Sequence, residues 1–352
     1  MYIILAILIF GILIATHELG HFIVAKLCGV RVLEYAIGMG PAIWKKQGKE
    51  TEYSLRILPI GGYCAMEGED EESEDPRAFT SQPVWKRALV LVAGTAMNFL
   101  TGLILVLVLF SISDRFASPT IVDFMDGCPY VGETGFQKGD TIYKINGHRI
   151  YFSHNVTTYL ERDEDGVVDV VLLRDGKKVY LNAYELQLQE YDVDGTVVQR
   201  YGFYFAPAKS GAWNTLRDSW YCALDFVRMV WMSLGDLITG NVGVRDLSGP
   251  VGIVSMMNDV GQSSETVSDA LYTITYLAAF IAINLAVMNL LPIPALDGGR
   301  IFFLFVTAII QKIIGRKIDP KYEGYVHLGG FALLLALMVF VMYNDIVKIV
   351  TG

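Results

Sequence analysis

The residues best suited to chemistry form one short run near the N-terminus, Thr16-His17-Glu18-Leu19-Gly20-His21. Its pattern is H-E-x-x-H. On a helix, positions four apart share a face, so both imidazoles can bind one divalent ion. The glutamate after the first histidine is then placed to act as a base on a water at that ion. The bland alternative is a pair of histidines that merely end a helix at an interface. Histidine and glutamate inside an apolar segment are costly, however, and need a reason to be there.

A catalytic zinc site usually takes three protein ligands and keeps one position open. The candidate for the third lies far downstream, in Asn289-Leu290-Leu291-Pro292-Ile293-Pro294-Ala295-Leu296-Asp297-Gly298-Gly299-Arg300. Pro292 and Pro294, two residues apart, end a helix. At membrane depth, freed backbone groups are tolerated only against protein or a water-filled cavity. Taken alone, Asp297 reads equally as a ligand or as a helix cap. Paired with the upstream motif, it reads as the third ligand. His327 opens another apolar segment and reads as interfacial. His148 and His154 read as ordinary surface residues.

These residues must be carried by membrane elements. The 352-residue chain is 53% hydrophobic and only 18% charged, with a mean hydropathy of +0.41. A soluble domain carries about 25% charged residues. About 20 apolar residues, at ~1.5 Å each, cross the ~30 Å hydrocarbon layer. Spans are expected at 2–25, 88–112, 272–293 and 325–347. The stretch 213–238 has apolar residues at helical spacing but also Arg217, Asp218, Asp225, Arg228 and Asp236. That pattern predicts a helix lying on the membrane surface.

Nine Lys and Arg separate the first two spans, and Arg300, Lys312, Arg316, Lys317 and Lys321 separate the last two. By the positive-inside bias, those loops face the cytoplasm and the N-terminus and the long middle segment lie outside. The first and third spans then run in the same direction. Their ends, carrying His17, His21 and Asp297, reach one depth.

The net charge is −9, much of it from the run Glu67 to Asp75, which reads as a solvated loop. No basic stripe points to nucleic acid. Cys28, Cys64, Cys128 and Cys222 are far apart, which speaks against a disulfide framework or a cysteine zinc site.

The two motifs together resemble the site-2 protease family of intramembrane zinc metalloproteases, in its bacterial branch with a single PDZ domain. The resemblance covers nearly the whole chain. It implies a polytopic α-helical membrane protein with four transmembrane helices, a cytoplasmic membrane-associated β-loop and an inserted extracytoplasmic α+β PDZ domain. It implies Zn2+ on His17, His21 and Asp297, with Glu18 as catalytic base. By position, Asn284 and Asn289 would help hold substrate. Gly38-Met39-Gly40-Pro41 and Tyr53 to Tyr63 resemble the family's β-loop, which could add as a strand to an unwound substrate. Gly38, Gly40, Pro292 and Pro294 are therefore further substrate-binding candidates. In Gly94-Thr95-Ala96-Met97-Asn98, Thr95 stands where the family usually has proline, while Asn98 is kept.

The segment Gly135 to Asp140 resembles a PDZ signature, but its ligand loop, Cys128 to Gly132, is degenerate. Asp175-Gly176 between two β-prone runs predicts a hairpin. Leu247-Ser248-Gly249-Pro250-Val251-Gly252 resembles a family motif and reads as a turn. The expected organisation is a first protease half at 1–112, with the β-loop at 30–66. A PDZ domain follows at 113–208, an amphipathic linker at 209–271 and a second protease half at 272–352. The implied partners are the lipid bilayer and single-pass membrane proteins, such as anti-sigma factors or signal-peptide remnants. The implied setting is regulated intramembrane proteolysis in the bacterial cytoplasmic, or inner, membrane. Two other readings are a non-catalytic membrane PDZ adaptor and a transporter with a broken helix.

Overall fold

The computed structural model describes residues 1–69, 73–112, 116–163, 165–193, 195–207, 211–314 and 320–351. Asp70, Glu71 and Glu72 of the acidic run, the expected boundaries near 113 and 208–209, and Arg316 and Lys317 lie outside the described residues. The chain divides into two compact units. One comprises Met1–Val106 with Phe226–Gly352, and the other comprises Leu107–Asp225.

Among the described residues, four helices are long and apolar enough to cross a membrane. They are α1 (Tyr2–Leu27), α2 (Val84–Ile112), α6 (Val267–Asn289) and the stretch from Gly324 within α8 (Pro320–Thr351). Between them lie α4 (Ala212–Thr239), α5 (Pro250–Ser263) and α7 (Asp297–Ile314). Small residues let these helices approach closely, as lipid-embedded packing favours. A β-carbon on Gly20 of α1 would sit 2.3 Å from the Ala93 carbonyl oxygen of α2. One on Gly102 of α2 would sit 2.6 Å from Ile283 of α6.

The third span begins earlier and ends earlier than its hydropathy suggests. Thr266 caps α6 by accepting from the Asp269 amide at 3.1 Å, which fixes its start. Leu290, Leu291 and Ile293 are apolar yet leave the helix, because Pro292 and Pro294 lack the amide hydrogens a helix needs. Helix α2 runs unbroken through Thr95. The Thr95 hydroxyl donates back to the Val92 carbonyl at 2.7 Å, so it stays satisfied where a proline would have freed a carbonyl.

The segment around Pro250 is a helix start rather than a plain turn. Pro250 opens α5, a position where its missing amide hydrogen costs nothing. The amides of Gly249 and Gly252 donate to the Asp345 carboxylate of α8 at 3.0 and 2.8 Å. Asp345 is 2% exposed, so these bonds offset its burial.

Strands β1 (Val32–Gln47) and β2 (Glu52–Met66) meet around Gly48, whose amide donates to the Thr51 carbonyl at 2.9 Å. The strands fold over on themselves. Residues 34–37 pair with 62–65 on one side and with 52–55 on the other, while 44–47 pair with 52–55. Met39, Ile43, Trp44, Ile57 and Leu58 are exposed, an apolar surface suited to lipid contact. Inside this loop, Glu34 accepts from Ser54 at 2.6 Å, Arg56 at 2.8 Å and Tyr63 at 2.7 Å. Burial alone would raise the Glu34 pKa, but these three donors outweigh it and hold the carboxyl at about 2. The acidic run is less free than its composition suggests. Ser73 donates to Glu67, Arg31 pairs with Asp75, and Arg300 of α7 pairs with Glu69.

The second unit holds a sheet of β3 (Ala117–Phe124), β4 (Thr141–Ile145), β5 (His148–Arg149), β6 (Val167–Arg174), β7 (Lys177–Glu185) and β10 (Phe203–Pro207). Its strand order is β10-β3-β4-β6-β7, with β5 beside β4. Strands β8 (Gln189–Val193) and β9 (Thr196–Arg200) form a separate hairpin, and α3 (Ser153–Leu160) is the short helix. Asp175 and Gly176 take φ of 50° and 75°, the left-handed pair that a two-residue hairpin requires. His154 is more than a surface residue. Its Nε2 lies 3.2 Å from Asp225, which is 2% exposed and also accepts from Asn155 at 2.6 Å. The His148 ring stacks on Tyr159.

Candidate metal centre

Helix α1 carries His17 and His21 one turn apart, with ring centroids 4.8 Å apart and planes nearly perpendicular. Their Nε2 atoms approach to 3.2 Å. The Asp297 Oδ2 atom lies 3.2 Å from Nε2 of His17 and 3.4 Å from Nε2 of His21. Among the described residues this is the one His/Cys/Asp/Glu cluster able to hold a metal ion. Oδ2 is buried and makes no well-formed hydrogen bond.

That arrangement fits zinc on geometric grounds. A tetrahedral ion with ligands at about 2.05 Å separates its donor atoms by about 3.3 Å. The three observed separations match this edge length. Three electron-rich atoms packed so closely, away from water, need a shared cation or a proton between them.

The surrounding backbone explains how Asp297 arrives. After Asn289 the chain turns through Leu290 to Leu296, with Ile293 N–H donating to the Leu291 carbonyl at 2.7 Å. Asp297 then opens α7. A β-carbon on Gly298 would sit 2.3 Å from the Leu290 carbonyl, and one on Gly299 would sit 2.2 Å from that of Ile293. Both glycines are required for the segment to fold back over its own helix. Ala295 has a φ of +78°, a conformation that costs a non-glycine residue of order 1 kcal/mol. Its amide donates to Nδ1 of His327 at 3.1 Å. His327 thus holds the strained turn rather than merely sitting at an interface, and only the fold brings the two together.

The other sequence candidates separate into groups. Glu18 sits one residue after His17, with β2 beside it. A β-carbon on Gly62 would lie 3.3 Å from its Cγ. Cys64, on the same strand, is kept as a thiol, because burial first and the Glu18 charge second push its pKa up to about 12. That excludes it as a thiolate nucleophile near neutral pH. Asn284 and Asn289 both lie on α6, half-buried. Gly38 and Gly40 take φ of 88° and 84° in β1, and a β-carbon on Gly38 would sit 2.5 Å from the Leu58 carbonyl. Pro292 and Pro294 lie in the broken segment, and Pro294 packs against Gly330 of α8.

Two supporting residues escape motif reading. Nδ1 of His21 lies 2.8 Å from the Val90 carbonyl of α2. Nδ1 of His17 lies 3.2 Å from the Asn98 carboxamide. The retained Asn98 was a signal of importance, but not of its contact.

Comparison with known proteins agrees with this chemistry. The model of peptidase family M50 matches residues 5–337. A protein of Clostridium acetobutylicum classed as a zinc metalloprotease is 37% identical over 98% of this chain and 97% of its own length. The regulator of sigma-W protease RasP of Bacillus subtilis is 28% identical over 97% of each chain. The zinc metalloprotease RasP of Bacillus licheniformis is 29% identical over 97% of this chain and 98% of its own.

Proposed function

This chain belongs to peptidase family M50 and is a zinc metalloprotease of the membrane, and from that premise we propose that His17, His21 and Asp297 hold the zinc and Glu18 is the base. The observation that carries the reading is the near-equal 3.2, 3.2 and 3.4 Å spacing of the three donor atoms. Zinc held there supplies Lewis acidity, polarising a peptide carbonyl and acidifying water. Glu18 takes the proton of the attacking water and delivers it to the leaving amine.

The substrate is a membrane span that has lost its helix locally, since a helix hides its carbonyls in hydrogen bonds. The strand 61–64 beside Glu18, paired on its other side with β1, which bends at Gly38 and Gly40, offers an edge to an extended segment. The side-chain carboxamides of Asn284 and Asn289 make no hydrogen bond to the described residues, which leaves them available to a peptide backbone. Pro292 and Pro294 keep their own segment open. Single-pass membrane proteins of the anti-sigma or signal-peptide type fit this site. The active site faces the cytoplasmic side, and the β-rich unit is an external PDZ domain. Tyr130 of its ligand loop is 8% exposed and bonds inward to the Gln187 carbonyl at 2.6 Å. That favours a steric filter over peptide-terminus capture. An adaptor or a transporter has no use for a base next to three converging ligands.

The test is metal content and cleavage in purified full-length protein. Glu18→Gln should retain one zinc and lose cleavage, while Asp297→Ala should lose the zinc. Full activity in Glu18→Gln, or full zinc in Asp297→Ala, would overturn the assignment.

A further inference from the structure

The two histidines face one cation site, yet their outer nitrogens meet different partners. Nδ1 of His21 lies 2.8 Å from a backbone carbonyl, that of Val90. A carbonyl only accepts, so His21 carries its proton on Nδ1 and presents a bare Nε2. Nδ1 of His17 instead meets a carboxamide, with Asn98 Nδ2 at 3.2 Å. Asn98 is 1% exposed, and its Oδ1 is buried without a hydrogen-bond partner.

With Nδ2 donating, Nδ1 of His17 accepts, and the His17 proton sits on Nε2. That proton then lies among the converging atoms, on a nitrogen 3.2 Å from both His21 Nε2 and Asp297 Oδ2. It separates three lone pairs, which suits a site without a cation. A cation on Nε2 requires that nitrogen bare, so the proton must lie on Nδ1. An Nδ1–H needs an acceptor, and the orphaned Oδ1 becomes one by a half-turn of the carboxamide. Leucine could fill the space with neither role. Aspartate could only accept.

Resting on the metal site proposed above, we infer that Asn98 is a positioning residue whose carboxamide turns over on zinc loading. It donates to His17 before loading and accepts from His17 afterwards. His21, against a carbonyl, is fixed in its ligand-ready form throughout.

The experiment uses full-length protein in detergent, labelled with 15N-histidine. The chain has five histidines, so signals can be assigned by substitution. Adding zinc to wild type should move the His17 proton from Nε2 to Nδ1 and leave the His21 tautomer unchanged. Zinc affinity, read by chelator competition, should fall about 10–100-fold in Asn98→Leu. It should return to within about threefold of wild type in Asn98→Asp. A His17 proton on Nδ1 in both states overturns the inference, and so does Asn98→Leu binding zinc as wild type does. If Asp297→Ala loses zinc while Asn98→Leu keeps it, only the role of Asn98 falls. If Asp297→Ala keeps zinc, the metal site falls and this inference with it. The wild-type spectra decide even if Asn98→Leu fails to fold.

Discussion

A β-carbon on Gly94 would lie 2.3 Å from Nε2 of His21, closer than real β-carbons approach any atom. Helix α2 therefore passes the two imidazoles at a position where it has no side chain. Gly94→Ala should raise helix propensity by about 1 kcal/mol and yet lower zinc affinity at least about tenfold. Chelator competition reads the affinity, and thermal unfolding of the zinc-free protein reads the helix. The two should move in opposite directions. Unchanged zinc binding would show that His21 is not held where the geometry puts it.

His327 and Ala295 give a second pair. Removing the ring in His327→Ala leaves the Ala295 amide without its acceptor, at a cost of about 1–3 kcal/mol, in a turn already strained at φ +78°. Asp297, two residues on, should then be placed less well, and kcat should fall more than KM rises. Ala295→Gly relieves the strain and should recover part of the loss. Kinetics of both single variants and the double variant check this.

The grip of Gly249 and Gly252 on Asp345 should be worth more than any surface contact. Asp345→Ala strands two amides at the start of α5, which predicts about 1–3 kcal/mol of lost stability. Gly252→Ala would push a β-carbon to 2.8 Å from Oδ1 of Asp345 and should break the same contact. The two effects should be strongly non-additive in a double-mutant cycle of detergent unfolding. Simple addition would mean that α5 and α8 are not joined through this carboxylate.

Acid should loosen the β-loop through Glu34. Its carboxyl is held at about 2 against an ordinary 4.5, so the folded state favours the ionised form. The sign is that of a depressed acid. Its contribution is complete above pH 4.5 and is lost as pH falls from there to about 2. Glu34→Gln should unfold at a lower temperature than wild type at pH 6, and the gap should close across that window. A gap that persists at pH 2 would place the effect elsewhere.

Much of this chain was legible in advance because its signals are local. Hydropathy marks the spans, H-E-x-x-H places both imidazoles on one face, and Asp175-Gly176 makes its hairpin. Asp297 became readable only by pairing it with a motif more than 270 residues away. What stayed hidden depends on contacts between distant segments. Neither Asn98 nor His327 sits in a pattern that names its partner. Asp345 looks like the end of a span until two glycine amides are found on it. The early end of α6 shows the opposite failure. Leu290 and Leu291 are apolar enough for a span, but two prolines decide the backbone. The acidic run misled by composition, since Glu67, Glu69 and Asp75 have specific partners.

The members of the His17, His21 and Asp297 cluster lie far apart in the chain. Both imidazoles and the neighbouring carboxylate lie within residues 17–21. The carboxylate that meets them belongs to Asp297, which joins only after the intervening chain has been made and folded back to α1. A chain still short of that position cannot complete the cluster. For a protease, that order of assembly is a safeguard written into the topology.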